Sequence, residues 1–585
     1  MPKLFPILLI AIAFYPSLAS AAEVITLTEI QQVAKSEAVD LAIRLLEQQQ
    51  EQLKDKPEEW VAWEKQRLEF YAQNKHWQKL VERTDTLPAF VSADFIQWAM
   101  AQRTLALIAL GQGESARYTL RNLIWTQSSG EQQSDLRYWR RLVIQSYLAD
   151  GFASDAQTAS IRLHQDYGSE ETDVMLQARI ALLNKRTQEA INLLKPYANK
   201  PEYQALMLLA ELRGEHRPAS KVMQATQKIL RDKNTVEQDK ANLWLVTAES
   251  AQASNNPGTA ANAIEHALVA KKQISLPASI ISMGNEQLWA AYLDYALYLG
   301  NQEQLLIGQD KQWLDAADKH SAKRPIGARS MYAMVMIRGQ SPEVRNQAAE
   351  KFVALINKRK QGKQLLQNLF EPSSYFQTTK SIPEPIRHTL VDIALAQSDI
   401  DRASEIMATI DEPPAGSDQF MWKLRRARIL VLGNQTKVGA QAVQSILAET
   451  KKFEPEQIDR LLQVVFDLQT AGEHELAYGL FADSMRYVKD DKIQRELLYW
   501  MAESRKAQER YDEAARLYLK SADHPVPDNM DPWAQTARYH AADSLAKAGL
   551  YKDAETIFAH LLRVTDDQTR RANLKVQLQK LWAMQ

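Results

Sequence analysis

Apolar and polar positions in the last third of the chain recur with a helical period, and one pair of positions repeats. Three times, an alanine is followed four residues later by an aromatic residue: Ala477 by Phe481, Ala514 by Tyr518 and Ala554 by Phe558. Residues four apart lie on the same face of an α-helix. Each pair therefore predicts a helix that crosses its neighbour closely at the small alanine and fills the adjacent groove with the aromatic ring.

The positions before and between these pairs predict a series of helical hairpins. A glycine five residues before the small residue can adopt the left-handed conformation that ends a first helix, so it marks the turn into the second helix. Such glycines are Gly111, Gly151, Gly214, Gly472 and Gly549. Further positions equivalent to the alanine are Leu80, Ala116, Ala156, Ala190, Ala219, Ala260, Ala403 and Ala440. The steps from Ala440 to Ala477 and from Ala477 to Ala514 are both 37 residues, so the pattern indicates a repeat array.

The segment from Tyr511 to Pro525 carries a resemblance to a known family. Its sequence, Tyr-Asp-Glu-Ala-Ala-Arg-Leu-Tyr-Leu-Lys-Ser-Ala-Asp-His-Pro, resembles the second helix of a tetratricopeptide repeat, with an Ala-x3-aromatic pair and a closing proline. The first-helix Trp of that family is missing from the three C-terminal units, so the repeats are degenerate. The resemblance implies an all-α fold, a right-handed α-α superhelical solenoid of tetratricopeptide-like helical hairpins.

Regularity along the chain suggests how the array is divided. We predict an N-terminal tetratricopeptide-like solenoid over residues 22–370, irregular from about residue 270, and a C-terminal solenoid over residues 386–585. Residues 371–385 contain three prolines and several Ser and Thr residues, which predicts a loop or domain boundary. The final stretch from Arg570 has leucines at helical spacing with basic residues between them, as expected of a capping helix.

The first 21 residues have the features of a cleavable signal peptide. Lys3 precedes an 11-residue apolar run from Leu4 to Phe14, and Ala19-Ser20-Ala21 provides a small-x-small cleavage site. The apolar run is shorter than the roughly 20 residues of a membrane-spanning helix, although an uncleaved anchor stays the alternative. We therefore expect a periplasmic protein, and the absence of Cys excludes a bacterial lipoprotein.

Composition and motifs argue against several classes of chemistry. The 71 Lys and Arg residues balance 72 Asp and Glu residues, so no strong basic field favours nucleic acid. With no Cys, thiolate catalysis and Cys-ligated metal sites are excluded. The chain contains none of the common hydrolase, metalloprotease or nucleotide-binding motifs, and Glu503-Ser504 lacks the Gly-Leu-Met-Gln element of lytic transglycosylases. We expect no enzymatic activity, no cofactor and no metal.

The family resemblance also implies where a partner would bind. In tetratricopeptide repeats the first helix of each hairpin lines a concave groove, with its inner positions 11 and 15 residues before the alanine. In the C-terminal units these positions give a mixed aromatic and acidic strip: Phe466, Tyr499, Glu503, Tyr539 and Asp543. Such a composition suits a peptide-binding surface. The alternative is that the rings pack between repeats while the carboxylates are merely solvated.

These observations favour a non-enzymatic periplasmic scaffold or adaptor. We expect it to bind a protein or peptide partner in its groove, within a cell-envelope assembly such as polysaccharide-export or cell-wall machinery. Two alternatives from other classes stay open at this point. One is a helical, substrate-guiding subunit of a glycan-processing enzyme of the lytic transglycosylase type, and the other is a carbohydrate-binding module.

Overall fold

The described part of the chain is helical throughout. The computed structural model describes residues 25–584, except for residues 37, 51, 52, 54, 128–132, 415, 528 and 529. It contains 31 α-helices and no β-strand within those residues, which confirms the predicted all-α fold. The proposed signal peptide, residues 1–21, lies outside the described residues. None of the described helices is both long and apolar enough to cross a membrane.

The helices fall into two compact units, the first ending at Gly284 and the second beginning at Asn285. The first unit contains α1 (Leu27–Lys35), α2 (Val39–Gln50), α3 (Pro57–Gln73), α4 (Trp77–Asp85), α5 (Ala93–Ala109), α6 (Gly113–Gln127), α7 (Gln133–Ala149), α8 (Ala153–Tyr167), α9 (Glu171–Leu183), α10 (Thr187–Leu194), α11 (Pro201–Arg213), α12 (Ala219–Leu230), α13 (Glu237–Ala253) and α14 (Pro257–Val269).

The second unit contains α15 (Asn285–Leu299), α16 (Gln302–Leu306), α17 (Asp310–His320), α18 (Pro325–Arg338), α19 (Pro342–Asn357), α20 (Gly362–Leu369), α21 (Glu384–Ala396), α22 (Ile400–Met407), α23 (Gln419–Leu432), α24 (Thr436–Glu449), α25 (Pro455–Thr470), α26 (His474–Ser484), α27 (Asp491–Ala507), α28 (Tyr511–Ala522), α29 (Pro532–Lys547), α30 (Tyr551–Val564) and α31 (Gln568–Met584). Within each unit most consecutive helices pack against each other as hairpins, whereas α15 packs on α18.

The hairpin turns follow one local rule. In most hairpins the residue two positions before the second helix has a positive φ, and it is glycine at Gly111, Gly151, Gly472 and Gly549. Other residues hold the same conformation elsewhere, among them Glu509 with φ 61°. Because this conformation lets the chain reverse immediately, the fourth residue of the second helix falls at the helix crossing. Ala477, for example, is fully buried there.

Two repeats depart from the predicted register. In α12, Ala219 begins the helix and is only partly buried, while Val222 occupies the fully buried fourth position. The turn before α12 is longer, since Glu215 rather than Gly214 has the positive φ. In α24 the fourth position is Gly439 rather than Ala440, and a Cβ atom built there would lie 2.6 Å from a methyl group of Val431. A neighbouring helix therefore crosses too closely for any side chain.

Residues 371–385 lie inside the second unit rather than at its edge. The indole of Trp289 on α15 packs against Phe370 and Phe376, with ring centroids 5.3 and 5.2 Å apart. The Trp289 Nε1–H also donates to the carbonyl of Leu369 at 3.2 Å. These contacts bury the loop against the first helix of its own unit.

The last helix covers the end of the array. Leu574 and Leu581 on α31 are buried against Phe558 and Leu561 of α30, with Leu578 partly buried beside them. The apolar stripe that the sequence placed on this helix thus packs on the preceding hairpin.

Candidate peptide-binding surface

The five residues of the predicted strip lie on three first helices of the second unit. Phe466 is on α25, Tyr499 and Glu503 are on α27, and Tyr539 and Asp543 are on α29. All five are partly buried. The rings of Phe466, Tyr499 and Tyr539 belong to one row of aromatic contacts that crosses the three hairpins. Glu503 and Asp543 lie one turn after the two tyrosines on the same helices, so the structure brings the predicted residues together.

Phe466 begins this row. Its ring centroid lies 5.1 Å from that of Phe481 on the second helix of the same hairpin. It also lies 5.4 Å from that of Trp500 on the next first helix, in an edge-to-face arrangement. Edge-to-face pairs at this separation are favourable because the positive ring edge meets the negative face. Phe466 therefore joins two hairpins.

Tyr499 is the centre of the row. Its ring contacts four others at centroid distances between 5.2 and 5.8 Å: Trp500, Tyr518, Trp533 and His540. Tyr518 belongs to the second helix of the same hairpin, whereas Trp533 and His540 belong to the next first helix. Most of the Tyr499 ring thus packs against rings of its own and the next hairpin.

Glu503 accepts hydrogen bonds from this aromatic group. The hydroxyl of Tyr518, which is fully buried, donates to Glu503 Oε1 at 2.5 Å. Burial, reinforced by the Glu503 carboxylate, raises the pKa of both Tyr518 and Tyr499. Both hydroxyls therefore stay protonated as donors, and part of the hydrogen-bonding capacity of Glu503 is used inside the protein.

Asp543 and Tyr539 have partners as well. Lys547 Nζ lies 3.1 Å from Asp543 Oδ2, and Lys506 Nζ lies 3.8 Å from the same oxygen. The Tyr539 ring packs edge-on against Phe558 at 5.5 Å. The two lysines offset the negative charge that the sequence places on the strip. The surface is consequently less acidic than its carboxylates alone suggest.

His540 lies between these charged groups and the rings. Its imidazole stacks on Tyr518 with a centroid distance of 5.5 Å. Burial, together with the positive charge of Lys506, lowers its pKa despite the opposing effects of Glu503 and Asp543. His540 is therefore a neutral packing partner near pH 7.

The first helix that carries Phe466, α25, also lines an open cavity whose residues the sequence did not single out as a site. The cavity has a volume of about 530 Å³ and lies along α23 and α25. Its apolar surface includes Met421, Trp422, Leu424 and Val464, and its polar surface includes Arg425, Arg428, Arg460 and Gln463. The face combines apolar area with guanidinium donors at one place.

The three arginines are exposed to about half of their side-chain area and each has one carboxylate partner. The pairs are Arg425–Asp392 at 2.6 Å, Arg428–Asp467 at 2.8 Å and Arg460–Glu456 at 2.7 Å. A guanidinium has five N–H donors, so one carboxylate leaves donors for a ligand. One signal in the repeat spacing points to this face, because Arg425 stands 15 residues before Ala440. The residues that α25 adds to the cavity, Arg460, Gln463 and Val464, could not be predicted, because their position depends on how α23 and α25 pack.

Within the described residues, no group of three or more His, Asp or Glu side chains is arranged to hold a metal ion.

Comparison with known proteins gives matches only among solved structures. No family model matches the sequence, and no curated protein is significantly similar to it. The hetero-tetramer Cut9–Hcn1 of the APC/C matches at 11% identity over 94% of this chain and 95% of that one, with a TM-score of 0.24. Yeast Tom70 matches at 11% identity over 84% and 97%, with a TM-score of 0.22. Naa15/Naa10 bound to HypK-THB matches at 11% identity over 95% and 96%, with a TM-score of 0.20.

These scores leave the assignment of the fold to the geometry of the chain itself. Among the described residues, a left-handed turn residue is repeatedly followed five positions later by a buried residue, as at Glu509 and Ala514. Short second helices such as α28 pack on both the preceding and the following first helix. The described residues therefore form an all-helical array of repeated hairpins, as the sequence predicts.

Proposed function

We propose that this protein is a non-enzymatic adaptor that binds an extended segment of a protein partner along the first helices of its second unit. The observation that carries the proposal is the open cavity on α23 and α25, because α25 also carries Phe466 of the predicted strip. A concave, mainly apolar site with a few oriented polar groups is the usual form of a ligand site.

The chemistry of the cavity suits a peptide. Met421 and Leu424 offer apolar area for one or two side chains of a partner. The guanidinium groups of Arg425, Arg428 and Arg460 can donate to backbone carbonyls or to carboxylates of the same segment. We therefore propose a partner segment with both apolar and acidic residues, and we expect added salt to weaken its binding.

The predicted strip would take a smaller part in binding. Its rings pack largely against other aromatic rings of the protein, and its carboxylates have internal partners at Tyr518, Lys506 and Lys547. We propose that Phe466, Tyr499, Glu503, Tyr539 and Asp543 support the shape of the surface and present only their exposed edges to a partner.

The cellular setting is also a proposal. Residues 1–21 have the features of an export signal, which supports a periplasmic location. A cysteine-free chain suits that compartment because it has no thiol to oxidise wrongly. We propose a place in a cell-envelope assembly, such as polysaccharide-export or cell-wall machinery.

Site-specific photo-cross-linking tests the location of the partner. A benzophenone amino acid at Met421 should give an adduct with a protein from envelope extract. The same amino acid at Arg402, which is exposed on the second helix α22, is the matched control and should give none. Equal adducts from both positions, or recovery of glycan without protein, would contradict the proposal.

Charge removal tests the chemistry once the partner is known. The double variant Arg425→Gln with Arg428→Gln should weaken binding at least tenfold, whereas Arg402→Gln should leave affinity unchanged. Circular dichroism should show unchanged helicity for both. An affinity equal to that of the unmodified protein would exclude the arginines from the site.

A further inference from the structure

An irregular segment of the first unit runs along its own first helices. After α14, residues 271–284 leave the helical hairpins, passing through one short 3-10 turn over Lys271–Gln273. Lys75, which follows α3, donates to the carbonyl of Lys272, and Ser279 donates to the carbonyl of Leu148 at the end of α7. The segment thus reaches back to hairpins that precede it by more than 100 residues.

Asn242 on α13 holds the backbone of this segment. Its Oδ1 accepts from the amides of Ser275 at 3.1 Å and Leu276 at 3.3 Å, and its Nδ2 donates to Ser275 Oγ at 2.8 Å. Asn242 is almost fully buried. Asn242 therefore pairs with two consecutive backbone amides and with the hydroxyl of Ser275, so it fixes the segment mainly through its main chain.

Arg213 at the end of α11 makes a second contact of this kind. Its Nη2 donates to the carbonyl of Ile280 at 2.8 Å. Glu249 on α13 accepts two hydrogen bonds from the same guanidinium, at 2.7 and 2.8 Å, and so fixes its direction. Two neighbouring first helices therefore hold the segment at positions five residues apart.

Apolar contacts lie between these polar ones. Leu276, Ile280 and Ile281 are buried in a core shared with α9, α11 and α13. The sequence of α11 fits this arrangement, because the run Ala205-Leu-Met-Leu-Leu-Ala210 is apolar on every side of the helix. One side faces the second helices, and the segment covers another.

We infer that the first-helix face of the first unit is a second peptide-binding site and that residues 274–281 occupy it as a ligand within the same chain. The peptide it fits turns after Pro277, whose carbonyl accepts from the amides of Ile280 and Ile281 at 2.9 and 3.2 Å. It has Leu followed four and five residues later by Ile-Ile, and it is held through its backbone by Asn242 and Arg213. A tethered segment has a high effective concentration at its site, so it excludes a free peptide of similar affinity.

The hairpins themselves supply the reason to treat the segment as a ligand. Helices α9 to α14 pack on each other in sequence, and Leu206, Leu209 and Val246 are fully buried among them. The segment adds no helix to this array, and Pro277 interrupts it. Two side chains of first helices, Asn242 and Arg213, hold its backbone as they would hold that of a bound peptide.

The test uses the full chain and a fluorescent synthetic peptide of residues 271–284. The double variant Leu276→Asp with Ile280→Asp ejects the tethered segment, because unpaired carboxylates cannot replace its buried side chains. Anisotropy should show the peptide binding to this variant at least tenfold more tightly than to the unmodified protein. Ala278→Asp, at an exposed position of the segment, is the matched control and should behave like the unmodified protein.

A third substitution assigns the binding to the proposed face. Adding Asn242→Ala to the double variant should weaken peptide binding again by at least tenfold. A folded double variant that does not bind the peptide would overturn the inference, and so would loss of helicity in the double variant, since the segment would then be a required part of the core. Because this site lies in the first unit, neither result bears on the test at Met421 in the second.

Discussion

Truncating Tyr499 to Ala distinguishes a packing role from a purely surface role for the strip. The side chain contacts four rings from three helices. Replacing a fully buried aromatic residue by Ala usually costs about 3–5 kcal/mol. Tyr499 is only partly buried, so we expect a loss of about 2–3 kcal/mol in the free energy of unfolding of its hairpins. The matched variant Tyr499→Phe keeps the ring and removes only a hydroxyl, which costs about 0.5–1.5 kcal/mol.

Hydrogen exchange measured by mass spectrometry is the suitable assay, because an array of two units need not unfold in one step. A loss of 2–3 kcal/mol corresponds to exchange about 30- to 150-fold faster, expected for amides of α27 to α29. Amides of α9 to α14 in the first unit serve as an internal reference and should not change. If Tyr499→Ala accelerates exchange less than about fivefold, the ring does not hold the hairpins together and the reasoning from its contacts is wrong.

Three further predictions concern packing, pH and export. Ala477→Leu should destabilise the second unit by about 1–3 kcal/mol in denaturant titration, because its site at the helix crossing is full, whereas Ala482→Leu on the exposed side of the same helix should change stability by less than about 0.5 kcal/mol. Because the folded state lowers the pKa of His540, the unfolded state takes up a proton first as the pH falls; this contribution to stability is complete above about pH 6.5 and decreases below it. His540→Gln should therefore lose less stability between pH 7 and 5 than the unmodified protein, and an equal loss would refute the assignment. N-terminal sequencing of the exported protein should begin at Ala22, and a chain that keeps residues 1–21 in the membrane fraction would favour an uncleaved anchor.

Much of the hairpin architecture could be predicted because it depends on short-range chemistry. The spacing from turn to small residue is set within one turn and one helix, so Gly472 and Ala477 are recognisable without any knowledge of the neighbours. The register was misplaced where a local signal was ambiguous, as at Ala219, where the turn is longer, and at Ala440, where the adjacent Gly439 takes the crossing.

The position of the strip could be predicted, but the internal partners of its polar groups could not. Periodicity placed Tyr499 and Glu503 on one face of a first helix, and the structure places them in one aromatic row. The partners of their polar groups come from other helices: Tyr518 for Glu503, and Lys506 on the preceding first helix for Asp543. The spacing of residues along one helix does not tell which side chains of other helices come into contact with them.

The sequence by itself determined the helices, the turns and the repeated crossings, since each depends on residues only a few positions apart. The tertiary structure decided which inner face is covered and which is open. Arg213 meets the carbonyl of Ile280 across 67 positions of sequence, and Ser279 meets Leu148 across 131. Such contacts form only when stacked hairpins bring distant first helices beside one segment, so the filled face of the first unit and the open cavity on α23 and α25 follow from packing.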